Sequence, residues 1–367
     1  MAIDRRSFLA ALAATLGLPS AATARETGVR YLSAQGTLDG DFAVAGLDVA
    51  GEMLFQLPLP DRGHAIALRP AGDEAVVFAR RPGSFAVVFD AANGAPVMEL
   101  EAGADHHFFG HGVFSADGRH LLSTENDIAS GLGVLGIRDA ADGYKRIGEF
   151  PTYGTGPHDL SWLADGMTLV VANGGILTTP ETGRAKLNRS TMTPSLAYID
   201  GRDGRLLREF RLAPELNQLS IRHLARAADD TVAIGMQFEG DSSALVPLVG
   251  IHRGDEGIRL LSAPETALRK MDNYCGDICL DCSGRTIAAS SPRGNTIGFW
   301  DVDGGFLGMV DLTDSCGLAP LPDPDRFLIT SGTGALYLVD GRRIRVETLV
   351  ADIDADGHWD NHVTLLA

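Results

Sequence analysis

Cysteine is scarce in this 367-residue chain and confined to one stretch: Cys275, Cys279, Cys282 and Cys316 are the only four. So few thiols exclude a fold framed by disulfides. One or two bridges stay open, and the matching frames Cys275-Gly276 and Cys316-Gly317 nominate Cys275 with Cys316. Positive charge is also in deficit, with 31 Lys and Arg against 48 Asp and Glu and a net charge of −17. That balance argues against nucleic acid or an anionic membrane surface as a partner. Beyond the amino terminus no run reaches the roughly 20 apolar residues of a transmembrane helix, so no membrane insertion is expected after processing. There is no C-x-x-C-H haem attachment sequence, G-x-S-x-G elbow, P-loop or dinucleotide fingerprint, which removes the common enzyme signatures. No Pro/Ser-rich linker divides the chain, and a single domain is expected over residues 25–367.

What is present begins with an export signal. Asp4-Arg5-Arg6-Ser7-Phe8-Leu9 is followed by an Ala/Leu run to Leu18 and then by Ala22-Thr23-Ala24, the order of charged start, apolar middle and small-residue cleavage site that defines a signal peptide. The paired arginines favour the twin-arginine route. Residues 1–24 are therefore expected to be removed, leaving a periplasmic protein that starts near Arg25.

The remainder reads as short β-rich segments bounded by Gly, Asp and Pro, without the 3.6-residue stripe of helices, as in Glu74-Ala75-Val76-Val77-Phe78 and Thr168-Leu169-Val170-Val171. Two landmarks recur seven times each and interleave. The first is a polar residue opening a strand: His64, His111, His158, His223, Asp277, Cys316 and His362. The second closes a strand before a tight turn: Asp48, Asp90, Asp139, Asp200, His252, Asp301 and Asp340. Units of four strands at a period of roughly 40–50 residues are propeller blades. The fold expected is an all-β, seven-bladed propeller of four-stranded blades. Its amino-terminal strands lack an inner strand, and Val363 to Leu366 supply one, closing the ring and removing its open edges.

Several stretches resemble the bacterial family known as domain of unknown function 1513: RGHAIALRP, VVFARRPGSF, FFGHGVFSADGR with its trailing TENDIASG, NGGILTTPETGRAKLNRSTMTPSL and the terminal WDNHVTL. The resemblance covers essentially the whole mature chain. It implies a twin-arginine-exported propeller, frequently encoded beside imelysin-type periplasmic iron-uptake proteins and a di-haem oxidoreductase-like partner. It implies no reaction, and it carries no catalytic residues over.

Candidate residues therefore come from the chain itself. Strand-opening residues of successive blades start at one height near the axis, so His64, His111, His158, His223 and His362 should converge at one mouth of the channel, where neutral imidazoles suit iron, copper or zinc. Asp277 and Cys316 are further donors. The competing reading is structural, because WD-type repeats use a Gly-His pair to hydrogen-bond strands within a blade, and Gly63-His64 and Gly110-His111 match it. Loops on the same face carry Arg80, Arg81, Glu125, Asn126, Asp127, Asn173 and Arg293 as candidates for holding a cofactor. Glu125 and Asp127 could act as acid and base or hold a cation. The insertion from Gly174 to Ser195, with Arg184, Lys186 and Arg189, could cover the mouth or be a solvated loop. Cys279 and Cys282 form a C-x-x-C that strand alternation divides between two faces. Three functions follow: an accessory protein of iron or other metal acquisition, binding a metal, a metal complex or a periplasmic iron-uptake protein on the histidine face; a lactonase-like or quinoprotein dehydrogenase-like enzyme, by fold analogy alone; or a pure interaction scaffold.

Overall fold

The computed structural model describes residues 28–37, 39–70, 73–350 and 357–366; the expected signal peptide lies outside the described residues. Among the described residues the strands form seven four-stranded antiparallel sheets, each built from consecutive strands but one. The exceptional blade joins β1 (Tyr31–Thr37), β2 (Phe42–Leu47) and β3 (Met53–Leu59) to the last strand, β28 (Gly357–Leu365). Next come β4 (Gly63–Leu68), β5 (Glu74–Ala79), β6 (Phe85–Asp90) and β7 (Pro96–Glu101), then β8 (His106–Phe114), β9 (His120–Asp127), β10 (Gly133–Asp139) and β11 (Lys145–Pro151). The fourth blade is β12 (Pro157–Trp162), β13 (Thr168–Asn173), β14 (Ser195–Asp200) and β15 (Leu206–Arg211); the fifth is β16 (Leu219–Arg226), β17 (Val232–Phe238), β18 (Val249–His252) and β19 (Arg259–Leu260). The last two are β20 (Asp277–Leu280), β21 (Thr286–Ser291), β22 (Thr296–Asp301) and β23 (Phe306–Asp311), and β24 (Ser315–Pro320), β25 (Arg326–Ser331), β26 (Leu336–Asp340) and β27 (Arg345–Val350). The inner strands β28, β4, β8, β12, β16, β20 and β24 neighbour one another in that order, and β24 meets β28 again, so the ring is closed.

The turn landmark has a direct cause. Asp48 accepts from the backbone N–H groups of Ala50 and Glu52, Asp90 from Ala92, Asp139 from Ala141, Asp200 from Arg202, Asp301 from Asp303, and Asp340 from Arg342. Each is an Asx turn that reverses the third strand into the fourth. Middle strands are buried along their length, as in β5 and β14, whereas outer strands such as β7 expose most of theirs. The core is correspondingly divided between neighbouring blades. One cluster packs Leu32 and Val44 against Val77 and Phe89; another packs Tyr31 and Trp359 against Leu328 and Leu336.

Two expectations change. The histidines do not all open their strands: His111, His223 and His362 lie well inside β8, β16 and β28. The reason is a bulge. Register breaks between Gly63 and Ile66, Phe108 and Gly112, Pro157 and Asp159, Ile221 and His223, and Ser315 and Leu318, and the residues between Trp359 and Val363 leave register with β1 in the same way. A bulge leaves a residue unpaired and re-aims its side chain. The closing strand is likewise longer than Val363 to Leu366, because residues on both sides of the bulge pair with β1.

The second change concerns sulfur. All four cysteines are free. Cys275 packs in an apolar cluster with Met236, Ile278 and Leu280, its Sγ donating to the Asp277 carbonyl, while the Cys316 Sγ donates to the carbonyl of Asp314. Equivalent positions in adjacent blades thus point into different surroundings. Burial raises the thiol pKa of Cys275, Cys279 and Cys316, and Cys282 is exposed on the other side of its strand turn.

Candidate functional site

Five imidazoles meet in one place, four from within bulges and His223 from the residue after one. His64, His111, His158, His223 and His362, from five different blades, have ring centroids 4.6 Å apart for His64 and His362, 4.7 Å for His158 and His223, and 4.9 Å for His111 with both His158 and His362. None of these contacts is a stacked pair. Ligand-capable atoms lie within 4.8 Å of one another in three overlapping groups: His64, His111 and His362; His111, His158 and His223; and His223, Asp277 and His362. Cys316 belongs to none of them.

Three of the rings are held from behind by carboxylates of other blades. His64 Nδ1 donates to Asp360 at 3.0 Å, His111 Nδ1 to Asp159 at 3.2 Å and His362 Nδ1 to Asp277 at 3.1 Å. A carboxylate only accepts, so the proton of each neutral ring sits on Nδ1 and the lone pair on Nε2. The acids are in turn fixed by main chain: Asp159 accepts from Leu224 N–H and Asp277 from Leu318 N–H, each in the next blade. The histidines therefore do not staple strands within their own blades. Nε2 of His111 and of His362, and both ring nitrogens of His223, are buried without a hydrogen-bond partner.

Burial sets the charge of this group. It holds His64, His158 and His223 well below the ordinary imidazole pKa, helped by their neighbouring imidazoles and, for His158, by Arg222. At His362 burial also pulls downward, but the Asp277, Asp159 and Asp360 carboxylates overcome it and the net direction is upward. Asp360 feels burial pushing upward, yet the His64 hydrogen bond and the arginines beside it hold it well below the usual carboxylate range. Most of the cluster is thus neutral imidazole, the form that donates a lone pair.

Against the histidines lies a narrow cationic mouth, lined by Arg80, Arg81, Arg184, Arg222, Tyr274 and Asn361 together with His64, His158 and His223. Arg222 is the bulged residue beside His223. Glu239 pairs with Lys186 and, at 3.6 Å, with Arg222. Asp360 pairs with Arg62 and, at 3.6 Å, with Arg80. The insertion reaches this mouth through three side chains: Arg184 lines it, Lys186 meets Glu239, and Arg189 Nε donates to the Glu239 carbonyl at 3.0 Å. A larger open groove, lined by His120, Leu122, Ile137, Phe150, Trp162 and Met167 among others, holds none of the five clustered histidines.

A family model described as protein of unknown function (DUF1513) matches residues 57–366. The chain belongs to this family. Among solved structures it is similar to Kuenenia stuttgartiensis hydrazine synthase, with a TM-score of 0.60 and 14% identity over 92% of this chain and 100% of that one. That likeness shows the propeller fold alone. No curated protein matches the sequence.

In this DUF1513 member the remaining candidates divide. Arg80 and Arg81 stand at the mouth, and Arg293 stacks over the Tyr274 ring at 4.3 Å, beside it. Glu125, Asn126 and Asn173 are corrections: they belong to strands β9 and β13 and are fully buried. Glu125 is taken by Arg138 at 2.9 Å, Arg146 at 3.2 Å and the Ser123 hydroxyl, so it is an interior ion pair and no acid or base for a ligand. Asn173 donates to the Thr152 carbonyl, and the Asn126 side chain donates to the Asp127 carbonyl. Asp127 caps the next turn through Ala129 N–H and Ser130 Oγ. Sequence reasoning missed Asp159, Asp360 and Arg222. Each lies one or two residues from a landmark histidine, and that flanking charge was the available signal.

Proposed function

We propose that this propeller binds a first-row transition metal ion on the channel axis, with ligands drawn from His64, His111, His158, His223 and His362, and that it serves metal acquisition in the periplasm as an exported accessory protein. One observation supports the reading most strongly: imidazoles from five blades meet, ligand-capable atoms lie within 4.8 Å of one another in three overlapping groups, and Nε2 of His111 and of His362 has no partner. Burying polar nitrogens unsatisfied costs roughly 1–3 kcal/mol each, and a ring of them is explained by a ligand that uses them together. The Nδ1–carboxylate bonds at the rear are the arrangement that fixes the tautomer and orientation of metal-bound histidine. An all-imidazole set with one carboxylate in reach suits zinc, copper or iron, and not calcium or magnesium, which take oxygen ligands. The family's expected setting beside periplasmic iron-uptake proteins agrees with a role in handling such an ion, with one of those proteins as partner.

The test is calorimetric titration of the metal-stripped mature protein with Zn²⁺, alongside elemental analysis of the protein as purified. His111 and His223 each belong to two of the three ligand groups. The His111→Ala, His223→Ala double variant should therefore lose at least about 100-fold in affinity, the scale on which even outer partners of metal ligands matter, while its circular dichroism is unchanged. Equal affinity in the double variant would refute the reading.

A further inference from the structure

The cationic mouth is not explained by the metal reading. A metal ion is repelled by arginine, yet Arg80, Arg81, Arg184 and Arg222 line the space directly above the histidines, with Arg62 and Lys186 close by, in a chain whose net charge is −17. Among the described residues the carboxylates paired with them are Glu239 and Asp360, and both are already engaged. Arg81 is 7% exposed and Arg222 2% exposed. Among the described residues Arg81 makes no hydrogen bond or ion pair; its Nη1 is buried without a partner, and its guanidinium lies 5.6 Å from the Phe109 ring centroid. The Arg222 Nε is also buried and unpartnered. Arg222 keeps Glu239 at 3.6 Å, but Arg81 has no ion pair; burying a guanidinium without one costs several kcal/mol, and such a cost persists where a ligand relieves it.

We propose that Arg81 and Arg222, with Arg80 and Arg184 at the rim, form a binding site for a small oxyanion, a carboxylate or phosphate, seated over the histidine cluster. Guanidinium groups present paired N–H donors that fit such oxygens in a fork. The mouth is narrow and lined closely by these side chains, which restricts the guest to a small anion. The site stands on the arginines alone. Its second element, that the anion also contacts the metal, rests on the proposed function, and it makes metal and anion bind more tightly together than apart, by the same factor in either order.

Oxalate and inorganic phosphate serve as probes, titrated calorimetrically into the mature protein with and without Zn²⁺. In metal-free protein at least one probe should bind, and Arg81→Gln should weaken it tenfold or more. Arg184→Gln, at an exposed position with no partner to lose, should weaken it several-fold and guards against misfolding of the first variant. The stronger probe identifies carboxylate or phosphate as the class. Zn²⁺ should tighten that probe several-fold in the wild type, and this increment should vanish in His111→Ala, His223→Ala. Absence of binding by both probes, or equal affinity in wild type and both arginine variants, would overturn the anion site and leave the metal reading standing. Arginine-dependent anion binding without any Zn²⁺ binding would support the anion site and remove the metal.

Discussion

At the scale of single residues, neighbours in sequence receive opposite assignments. Glu125 and Asp127 stand two apart and look alike as a sequence feature, yet one is sealed between Arg138 and Arg146 and the other caps an exposed turn. Removing one member of a buried pair leaves the other charged and unpaired. Glu125→Ala should therefore destabilise the fold by about 3–5 kcal/mol, measured by urea unfolding, and a loss below about 1 kcal/mol would contradict the assignment. Acid dependence has the same source. Burial pushes the Glu125 carboxyl upward, but Arg138, Ser123 and Arg146 outweigh it and the net direction is down from the ordinary 4.5. The unfolded chain thus takes up the proton first, so this contribution is complete above that pH and is lost as the pH falls below it. Glu125→Gln should flatten that acid limb. The histidines were legible because their frame repeats. Arg222, Asp159 and Asp360 were not, because a bulge, which alternation of period two cannot register, decides where they point.

At the scale of elements, the turn aspartates made the blade count readable, since each Asx turn needs its own residue type at a fixed place. Strand ends were less readable. Glu125 and Asn173 fall where a loop was expected, because β9 and β13 run further before turning. The insertion's contact with the mouth rests on Arg184, Lys186 and Arg189, whose charge stood out in an acidic chain; Glu239, the partner of Lys186 and Arg189, lies in another blade. Closure by β28 was legible from the unmatched ends, and it makes a sharp prediction. Deleting residues 360–367 removes Val363, the anchors Asp360 and His362, and the bulge, and it unpairs much of β1. The melting temperature should fall by more than about 10 °C, several kcal/mol at this chain length, and a peptide spanning 357–367 should restore part of it by strand addition. An unchanged melting temperature would contradict closure by this strand.

At the scale of the whole molecule, a seven-bladed ring does what no single blade does: it brings residues from six inner strands, His64, His111, His158, His223, Asp277 and His362, into one cluster. Five of those positions carry histidine, and the bulges turn them inward. The sequence repeat implied convergence, but the carboxylates behind the rings come from other blades and are joined only by the closed ring. The acidic exterior and the cationic mouth belong to the same logic, a charged entrance over a neutral nitrogen cluster. The most direct test is a crystal of residues 25–367 grown with Zn²⁺ and recorded at the zinc absorption edge. The account predicts one or two anomalous peaks on the channel axis, each about 2.0–2.1 Å from Nε2 or Nδ1 of at least three of the five histidines. Full-strength anomalous peaks elsewhere, with none on the axis, would contradict it.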